Sequence, residues 1–133
     1  MKLSALVIDG QHTFNTIKKL GLFKKVYHTD KLIDTISLLN KENIKVIFTD
    51  PILNQENIVK KIKENCSDQC IIIVLTDKTQ EEELSNLAEW SDDFLDKGEL
   101  TKEIIKSSLD FSTIKKRVKS ALCSINERLQ CLN

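Results

Sequence analysis

Four side chains that suit the binding of an oxyanion stand where short apolar runs of the sequence end: Asp9, Asp50, Thr76 and Lys97. An aspartate such as Asp50 can act as the nucleophile toward a phosphoryl group. Lys97 would pair with the charge of that group, and Thr76 would donate a hydrogen bond to one of its oxygens. The carboxylate of Asp9 would help to hold a divalent cation by oxygen coordination. This chemistry requires a fold that brings the four residues together.

The apolar runs before these residues are typical of strands buried on both faces of a parallel sheet. Five runs are predicted to be strands: Leu3–Ile8, Lys25–His28, Lys45–Thr49, Ile71–Leu75 and Asp93–Leu95. Pro51 cannot donate to a ladder of hydrogen bonds, so the third strand should end near Asp50.

Helical segments alternate with these strands, and most of them have residues suited to a helix N-terminus. These residues are Thr13, Asp30, Asn54 and the capping box Thr79-x-x-Glu82. Such alternation favours a parallel sheet with helices on both faces, and right-handed crossovers leave few topologies. We predict an α/β fold of the flavodoxin-like (βα)5 type, a doubly wound sheet with strand order 2-1-3-4-5. The first and third strands are then neighbours, so Asp9 and Asp50 would share one crevice.

The composition indicates one globular domain without a strong electrostatic preference. Of the 133 residues, 41% are hydrophobic and 30% are charged, and the formal net charge is zero. Neither nucleic acid nor an anionic membrane is therefore favoured as a partner. The longest apolar run, Ile71–Leu75, is too short to span a bilayer, and the N-terminus lacks the apolar region of a signal peptide. We expect a cytoplasmic protein.

Four cysteines are too few and too scattered for a disulfide framework in such a protein. They are Cys66, Cys70, Cys123 and Cys131. Cys66 and Cys70 are four residues apart, but neither histidine is near them in sequence, which argues against a metal site. We predict reduced cysteines that pack in the protein.

The strand ends make the sequence resemble the receiver domain of bacterial response regulators over about residues 1–110. The matching segments are Leu6-Val-Ile-Asp9, Val46-Ile-Phe-Thr-Asp50, Ile73-Val-Leu-Thr76 and Asp93-Phe-Leu-Asp-Lys97. The resemblance implies that Asp50 is the phosphoacceptor and that Thr76 and Lys97 contact the phosphoryl group. It also implies that Phe94 is the aromatic residue that moves inward on activation and that Asp9 is the first of an acidic pair. A histidine kinase or another signalling protein would be the partner.

Two positions depart from the receiver pattern. Gly10 stands where the family usually has a second acidic ligand, so Mg²⁺ would be held weakly by Asp9 and Asp50. Asp77 stands where a small residue usually leaves room for the phosphoryl group. Two functions are therefore open, neither of them enzymatic. One is a switch that accepts a phosphoryl group on Asp50, and the other is a pseudo-receiver that acts as an interaction or dimerisation module without phosphorylation.

The end of the chain carries a seven-residue repeat. One series is Ile104, Phe111, Val118, Ile125 and Leu132, and a second, offset by four, is Ser108, Lys115, Leu122 and Leu129. From residue 118 onward the two series form a heptad seam typical of a coiled coil. We divide the chain into a receiver domain, residues 1–110, and a C-terminal amphipathic or coiled-coil-like helix or linker to an output module, residues 111–133.

Two arrangements of this C-terminal helix are open: it folds back on its own domain, or it forms a homodimer or another signalling contact. Polar side chains at 107–113 are poor interior helix formers and predict a break or a recapping near Asp110–Ser112. The basic cluster at 115–119 lacks interleaved aromatic residues, so it favours a solvated helix face over nucleic-acid binding.

Overall fold

Five parallel strands form one sheet. A computed structural model describes residues 3–50, 58–66, 69–76 and 91–131. Its strands are β1 (Ser4–Ile8), β2 (Lys25–Thr29), β3 (Val46–Thr49), β4 (Ile71–Thr76) and β5 (Asp93–Asp96). They lie in the order β2-β1-β3-β4-β5, and each neighbouring pair is parallel. The predicted fold class and strand order are confirmed, and each predicted strand agrees with the observed one to within one residue at either end.

Helices follow the strands along the chain. Within the described residues they are α1 (Gln11–Lys19), α2 (Leu32–Lys41), α3 (Ile58–Asn65), a short 3-10 helix (Lys97–Glu99) and α4 (Lys102–Cys131). No helix in this part of the chain is long and apolar enough to cross a membrane. The predicted cap Asn54, the capping box Thr79-x-x-Glu82 and Asp77 lie outside the described residues.

Alternate side chains of the central strands cover opposite faces of the sheet, as a two-residue period requires. The cluster that joins the sheet to α4 includes Ala5, Val7, Val46, Phe48, Ile73, Ile105 and Leu109. The cluster on the α3 side includes Leu6, Ile8, Ile47, Ile62, Ile72 and Val74. Because both faces are buried, the polar residues of β3 and β4 are confined to their last positions, Thr49 and Thr76. Polar chemistry is thereby directed to the carboxyl edge of the sheet.

The first two helices begin without side-chain caps. α1 follows Gly10 and α2 follows Lys31, and neither helix has a side-chain hydrogen bond at its N-cap. The predicted caps Thr13 and Asp30 are therefore wrong. α1 starts directly after β1, so Thr13 lies inside its first turn, where its side chain is buried. The tight connection between strand and helix outweighs the local preference of a hydroxyl residue for the cap position.

The C-terminal helix α4 is continuous, so the predicted break near Asp110–Ser112 is wrong. Two of the hydroxyl side chains along this stretch have partners that are compatible with a helix. Ser108 Oγ donates to Asp93 Oδ2 of β5 at 2.6 Å, and Thr113 Oγ1 donates to the carbonyl oxygen of Leu109 at 2.7 Å. A hydroxyl that bonds to the strand or to the carbonyl four residues earlier does not compete with the helical ladder.

α4 leaves the domain about halfway along its length. Lys116 still contacts the domain, because its Nζ lies 3.2 Å from Asp92 Oδ1. Every side chain described from Arg117 onward is exposed. Among the described residues, the outer half of α4 therefore does not pack back on the domain. The helix crosses the predicted boundary between residues 110 and 111 without interruption, and that boundary stays a prediction.

The prediction of packed, reduced cysteines holds for two of the described residues. Cys70 is buried and Cys66 is half-buried, and both are free thiols. Cys123 is also free, but it is exposed on the outer half of α4 rather than packed. The side chain of Cys131 lies outside the described part of the chain.

Candidate functional site

Two carboxylates meet at the carboxyl ends of the adjacent strands β1 and β3. The strands pair so that Ile8 lies opposite Thr49, and Asp9 and Asp50 are the residues that follow. The amide nitrogen of Asp50 donates to the carbonyl oxygen of Ile8 at 3.3 Å, which extends the ladder by one residue. Asp9 is 4% exposed and Asp50 is 5% exposed. The structure thus contains the predicted crevice with both aspartates in it.

The ammonium group of Lys97 joins the two carboxylates. Lys97 follows β5, which lies two strands from β3, so its long side chain is needed to reach the crevice past β4. Its Nζ hydrogen-bonds to Asp9 Oδ1 at 3.1 Å and lies 3.0 Å from Asp9 Oδ2. The same Nζ forms an ion pair with Asp50 Oδ2. The sequence predicts that Lys97 pairs with a phosphoryl group on Asp50, whereas it does not predict the contact with Asp9.

The two aspartates also act on the protonation of Lys97. Burial alone would lower the pKa of an ammonium group, because it disfavours the charged form. Burial does act on Lys97, but the hydrogen bonds and charges of Asp50 and Asp9 outweigh it and hold the pKa of Lys97 above its usual value. Lys97 therefore stays charged at neutral pH. Two carboxylates and one ammonium leave one net negative charge in the crevice.

Thr76 and Phe94 lie beside the crevice on β4 and β5. Thr76 is half-buried, and its Oγ1 donates to the carbonyl oxygen of Leu95 at 3.5 Å. A hydrogen bond of that length is weak, so Thr76 can exchange it for a better acceptor at little cost. Phe94 is half-buried and packs against the core cluster on the α3 side of the sheet. Phe94 lies in the predicted fifth strand, Thr76 is the last residue of β4, one residue beyond the predicted strand end, and the roles of both stay predictions.

His28 supports the site, although it is not among the predicted site residues. Its Nε2–H donates to the backbone carbonyl oxygen of Asp9 at 2.7 Å. Its ring also stacks on Phe14, with the two centroids 4.9 Å apart. The hydrogen bond fixes the end of β1 and with it the position of the first carboxylate. A usable signal exists in the sequence, because His28 ends the second predicted strand, which the predicted order places next to the first.

The residues present fit a magnesium site that has two carboxylate ligands instead of three. Sites for Mg²⁺ with phosphate substrates use one or two carboxylates, together with phosphate oxygens and water. Asp9 and Asp50 supply two carboxylates, and the described residues contain no cluster of three or more His, Cys, Asp or Glu side chains suited to a metal. Gly10 adopts φ −67° and ψ 167°, and no neighbouring atom lies within 4 Å of where a Cβ would stand. Position 10 therefore has room for a third carboxylate.

Comparisons with known proteins identify the fold. No protein-family model matches the sequence, and no curated protein matches it. A response regulator from Thermotoga maritima is 20% identical over 83% of this chain and 99% of that chain, with a TM-score of 0.68. A response regulator receiver domain protein from Clostridium thermocellum is 16% identical over 89% of this chain and 98% of that chain, with a TM-score of 0.70. An adenylate cyclase from Rhodopirellula baltica is 15% identical over 95% and 97%, with a TM-score of 0.71.

This chain has the fold of a response regulator receiver domain. That result confirms the fold predicted from the four matching segments of the sequence.

Proposed function

We propose that this chain is the receiver domain of a two-component response regulator. In this proposal, Asp50 accepts a phosphoryl group from a histidine kinase and the domain then changes a protein-interaction face. The observation that carries the proposal is the contact of Lys97 with both Asp9 and Asp50 at the carboxyl edge of the sheet. The receiver fold of similar structures supports it. The chain acts as a switch rather than as an enzyme.

The transfer uses Asp50 as the nucleophile. A carboxylate oxygen of Asp50 attacks the phosphorus of a phosphohistidine, and the phosphorus–nitrogen bond breaks. The bonding electron pair leaves with the imidazole nitrogen, and the product is an acyl phosphate on Asp50. Lys97 lies beside the new negative charge and can pair with a phosphoryl oxygen, because its ammonium already contacts the Asp50 carboxylate.

Asp9 and Asp50 would hold magnesium, which would supply positive charge to neutralise the transferred group. The charge balance explains why a cation would help, since the three residues Asp9, Asp50 and Lys97 carry one net negative charge. The second acidic residue of the family is absent at Gly10. We therefore propose that phosphorylation is slower than in receivers with a complete acidic pair.

The response to phosphorylation would run through Thr76 and Phe94. The Thr76 hydroxyl would exchange its 3.5 Å bond to Leu95 for a phosphoryl oxygen, which is a stronger acceptor. Phe94 is half-buried and packs against the core on the α3 side, so it can adopt a more buried position as Thr76 moves. Together these shifts would change the β5 side of the domain. Such a two-state change is biased by one charged group.

Intact mass after incubation with a small phosphodonor and Mg²⁺ tests the proposal. We expect the mass of one added phosphoryl group on the protein and none on Asp50→Asn, because an amide is not a nucleophile toward phosphorus. Asp34→Asn is the matched control, since Asp34 is exposed on α2, and it should be labelled like the original chain. Labelling that persists in Asp50→Asn would rule out Asp50 as the acceptor. Absence of labelling in every form would favour a pseudo-receiver that works without phosphorylation.

Restoring the missing carboxylate should strengthen the site. We expect Gly10→Asp to bind Mg²⁺ at least about fivefold more tightly and to be phosphorylated faster, because an added charge close to the cation is worth about 1–4 kcal/mol. The backbone at position 10 is extended and open, so the substitution should not strain the fold. Titration of Mg²⁺ followed by calorimetry, and labelling rates by mass, give the two readouts.

Gly10→Asn is the control for this prediction. Asparagine has the size of aspartate and caps a helix about equally well, but it carries no charge. Any gain that comes from capping α1 would therefore appear in both variants. Equal Mg²⁺ affinities for the two variants would show that position 10 does not face a metal site.

A second proposal concerns the outer half of α4. We propose that it pairs with the same helix of another copy of this chain and makes a homodimer. Val118, Leu122 and Ile125 lie on one side of the helix and are 53%, 56% and 51% exposed. Isolated helices of this length are marginal in water, and their stability usually comes from burying an apolar face. The heptad spacing of the seam suits an identical partner helix.

A further inference from the structure

The middle of α4 lies on the domain with its polar face inward and its apolar face outward. Leu109 is the last apolar side chain of α4 in the buried core, among the residues that the structure describes. Beyond it, Ser112 is fully buried and Lys116 is half-buried, whereas Phe111 and Ile114 are 56% and 59% exposed. A surface helix usually buries its apolar side, so this stretch has the reverse arrangement. Polar contacts must therefore set its orientation on the domain.

The first of these contacts joins Asp93, at the amino end of β5, to Ser108. Ser108 Oγ donates to Asp93 Oδ2 at 2.6 Å, and Ser108 is 4% exposed. A hydrogen bond to a carboxylate at this distance is about twice as strong as one between neutral groups. The other carboxylate oxygen, Asp93 Oδ1, accepts from the amide nitrogen of Phe94 at 2.8 Å. One carboxylate is thus shared between the helix and the strand.

The second contact joins Asp92 to Lys116, two helical turns further along α4. Lys116 Nζ lies 3.2 Å from Asp92 Oδ1, and the two side chains are 21% and 13% exposed. Solvent therefore screens this pair less than it screens a fully exposed one. Asp92 is itself fixed to β4, because its Oδ2 accepts from the amide of Ile72 and its own amide donates to the Ile72 carbonyl oxygen, both at 2.8 Å.

Ser112 lies between the two contacts and adds little attraction to the domain. Residues 108, 112 and 116 are spaced by four, so they share one face of the helix. Ser112 Oγ is buried and has no hydrogen-bond partner among the described residues. Burial of a hydroxyl group without a partner is unfavourable. The attachment of this part of α4 therefore depends mainly on the two aspartates.

We infer that Asp92 and Asp93 form a latch that holds α4 on β5 with its apolar face outward and that can release it. The latch consists of two pairs, Asp93 with Ser108 and Asp92 with Lys116. When these pairs break, water replaces the lost partners, so opening costs less than the exposure of a packed apolar side chain. Opening the latch frees α4 from about residue 110 onward, while the inner turns stay packed on the core.

Control of the latch through Phe94 rests on the proposed phosphorylation of Asp50. Neighbouring residues of a strand face opposite sides of the sheet. Phe94 packs on the α3 side, whereas Asp93 reaches Ser108 on the α4 side. A movement of Phe94 further into the α3 side therefore draws Asp93 away from Ser108. Phosphorylation would open the latch in this way.

Hydrogen exchange followed by mass spectrometry tests the inference, at a protein concentration too low for pairing. Ser108→Ala combined with Lys116→Met removes the helix side of both pairs and leaves the aspartates in place. We expect peptides within residues 110–118 to exchange at least about tenfold faster in this variant, because a hydrogen bond to a charged group contributes that much to a local opening equilibrium. Peptides from β3 and β4 should keep their rates, which a general loss of stability would not allow.

Ser107→Ala combined with Lys106→Met is the matched control, since both residues are exposed on α4 and receive the same chemical changes. It should exchange like the original chain. Unchanged exchange in the latch variant, or an equal increase in the control, would overturn the latch.

The original chain after incubation with a small phosphodonor tests the link to Asp50. We expect residues 110–118 to exchange at least about fivefold faster, which is the low end of typical coupling between sites. Intact mass on the same sample reports the phosphoryl group. Labelled protein with unchanged exchange would overturn the control of the latch through Phe94. Protein without label would instead contradict the proposed function, and the two variants would still decide whether the latch exists.

Discussion

Lys97→Met should destabilise the protein by about 3 kcal/mol at pH 7, which is the largest stability effect we expect from a single substitution at the crevice. Removing one partner of a buried ion pair typically costs about 3–5 kcal/mol, because the other charge is left without compensation. Here two buried carboxylates would face each other, with side chains 2% and 7% exposed. We take the lower end of the range because the Lys97 side chain is 21% exposed and partly screened by water.

The loss should depend on pH in a defined direction. In Lys97→Met the folded state gains by taking up a proton, because protonation of either aspartate removes the repulsion between them. The variant therefore becomes more stable relative to the original chain as the pH falls from 7 toward about 4. Urea unfolding at several pH values, followed by circular dichroism, measures the difference.

Two further variants separate this effect from a general loss of a lysine. Lys102→Met removes an exposed lysine at the start of α4 and should change stability by less than about 0.5 kcal/mol. Asp9→Asn in the Lys97→Met background removes one of the two carboxylates and should recover part of the loss. A loss below about 1 kcal/mol for Lys97→Met at pH 7, or no recovery in the double variant, would contradict an energetically important triad.

The sequence predicts the sheet well because the sheet is buried on both faces. Runs such as Val46–Thr49 and Ile71–Thr76 are apolar at nearly every position, so their assignment does not depend on which face is inside. The same property places the polar residues at the strand ends. Once the order of strands is known, the proximity of Asp9 and Asp50 follows from the topology alone.

Helix starts are predicted less well because they depend on the path of the chain and not only on local preference. Thr13 has the side chain of a good N-cap, yet the connection after β1 places the N-cap three residues earlier, at Gly10. Asp30 fails for a related reason, since Lys31 takes the cap position of α2. In both cases the helix is held by packing on the sheet, and a missing cap of about 1 kcal/mol is tolerated.

Contacts between side chains that are distant in sequence are also hard to predict from the sequence. The pairing of Lys97 with Asp9 joins residues 88 positions apart, and the bond from His28 to the Asp9 carbonyl involves a backbone atom. Neither contact leaves a pattern of spacing or composition along the chain. The topology brings the residues to one edge, but only side-chain length and direction decide which of them touch.

Leu122→Lys should abolish the homodimer that we propose for α4, raising the dissociation constant at least about a hundredfold. Burying a leucine is worth about 1.5–3 kcal/mol, and a homodimer loses two of them at once, so about 3 kcal/mol is a low estimate. Each copy would also bring a lysine into the apolar seam. Sedimentation equilibrium over a range of protein concentrations measures the change directly.

The fold of each copy should not change, because Leu122 is 56% exposed and the domain core ends before it. Denaturant unfolding at a protein concentration too low for pairing should therefore give the same stability for both forms. Any loss of stability in this experiment would point to a contact between Leu122 and the domain, which the structure does not contain among its described residues.

Ser120→Lys is the matched control for the seam. Ser120 is exposed two residues from Leu122, on the side of the helix away from Val118 and Ile125. It receives the same charge without entering the apolar stripe, so its dimer should persist. A dimer that Ser120→Lys disrupts as strongly as Leu122→Lys would mean that charge rather than the seam decides pairing. An original chain that stays monomeric at high concentration would refute the homodimer and favour a different protein as the partner of the exposed stripe.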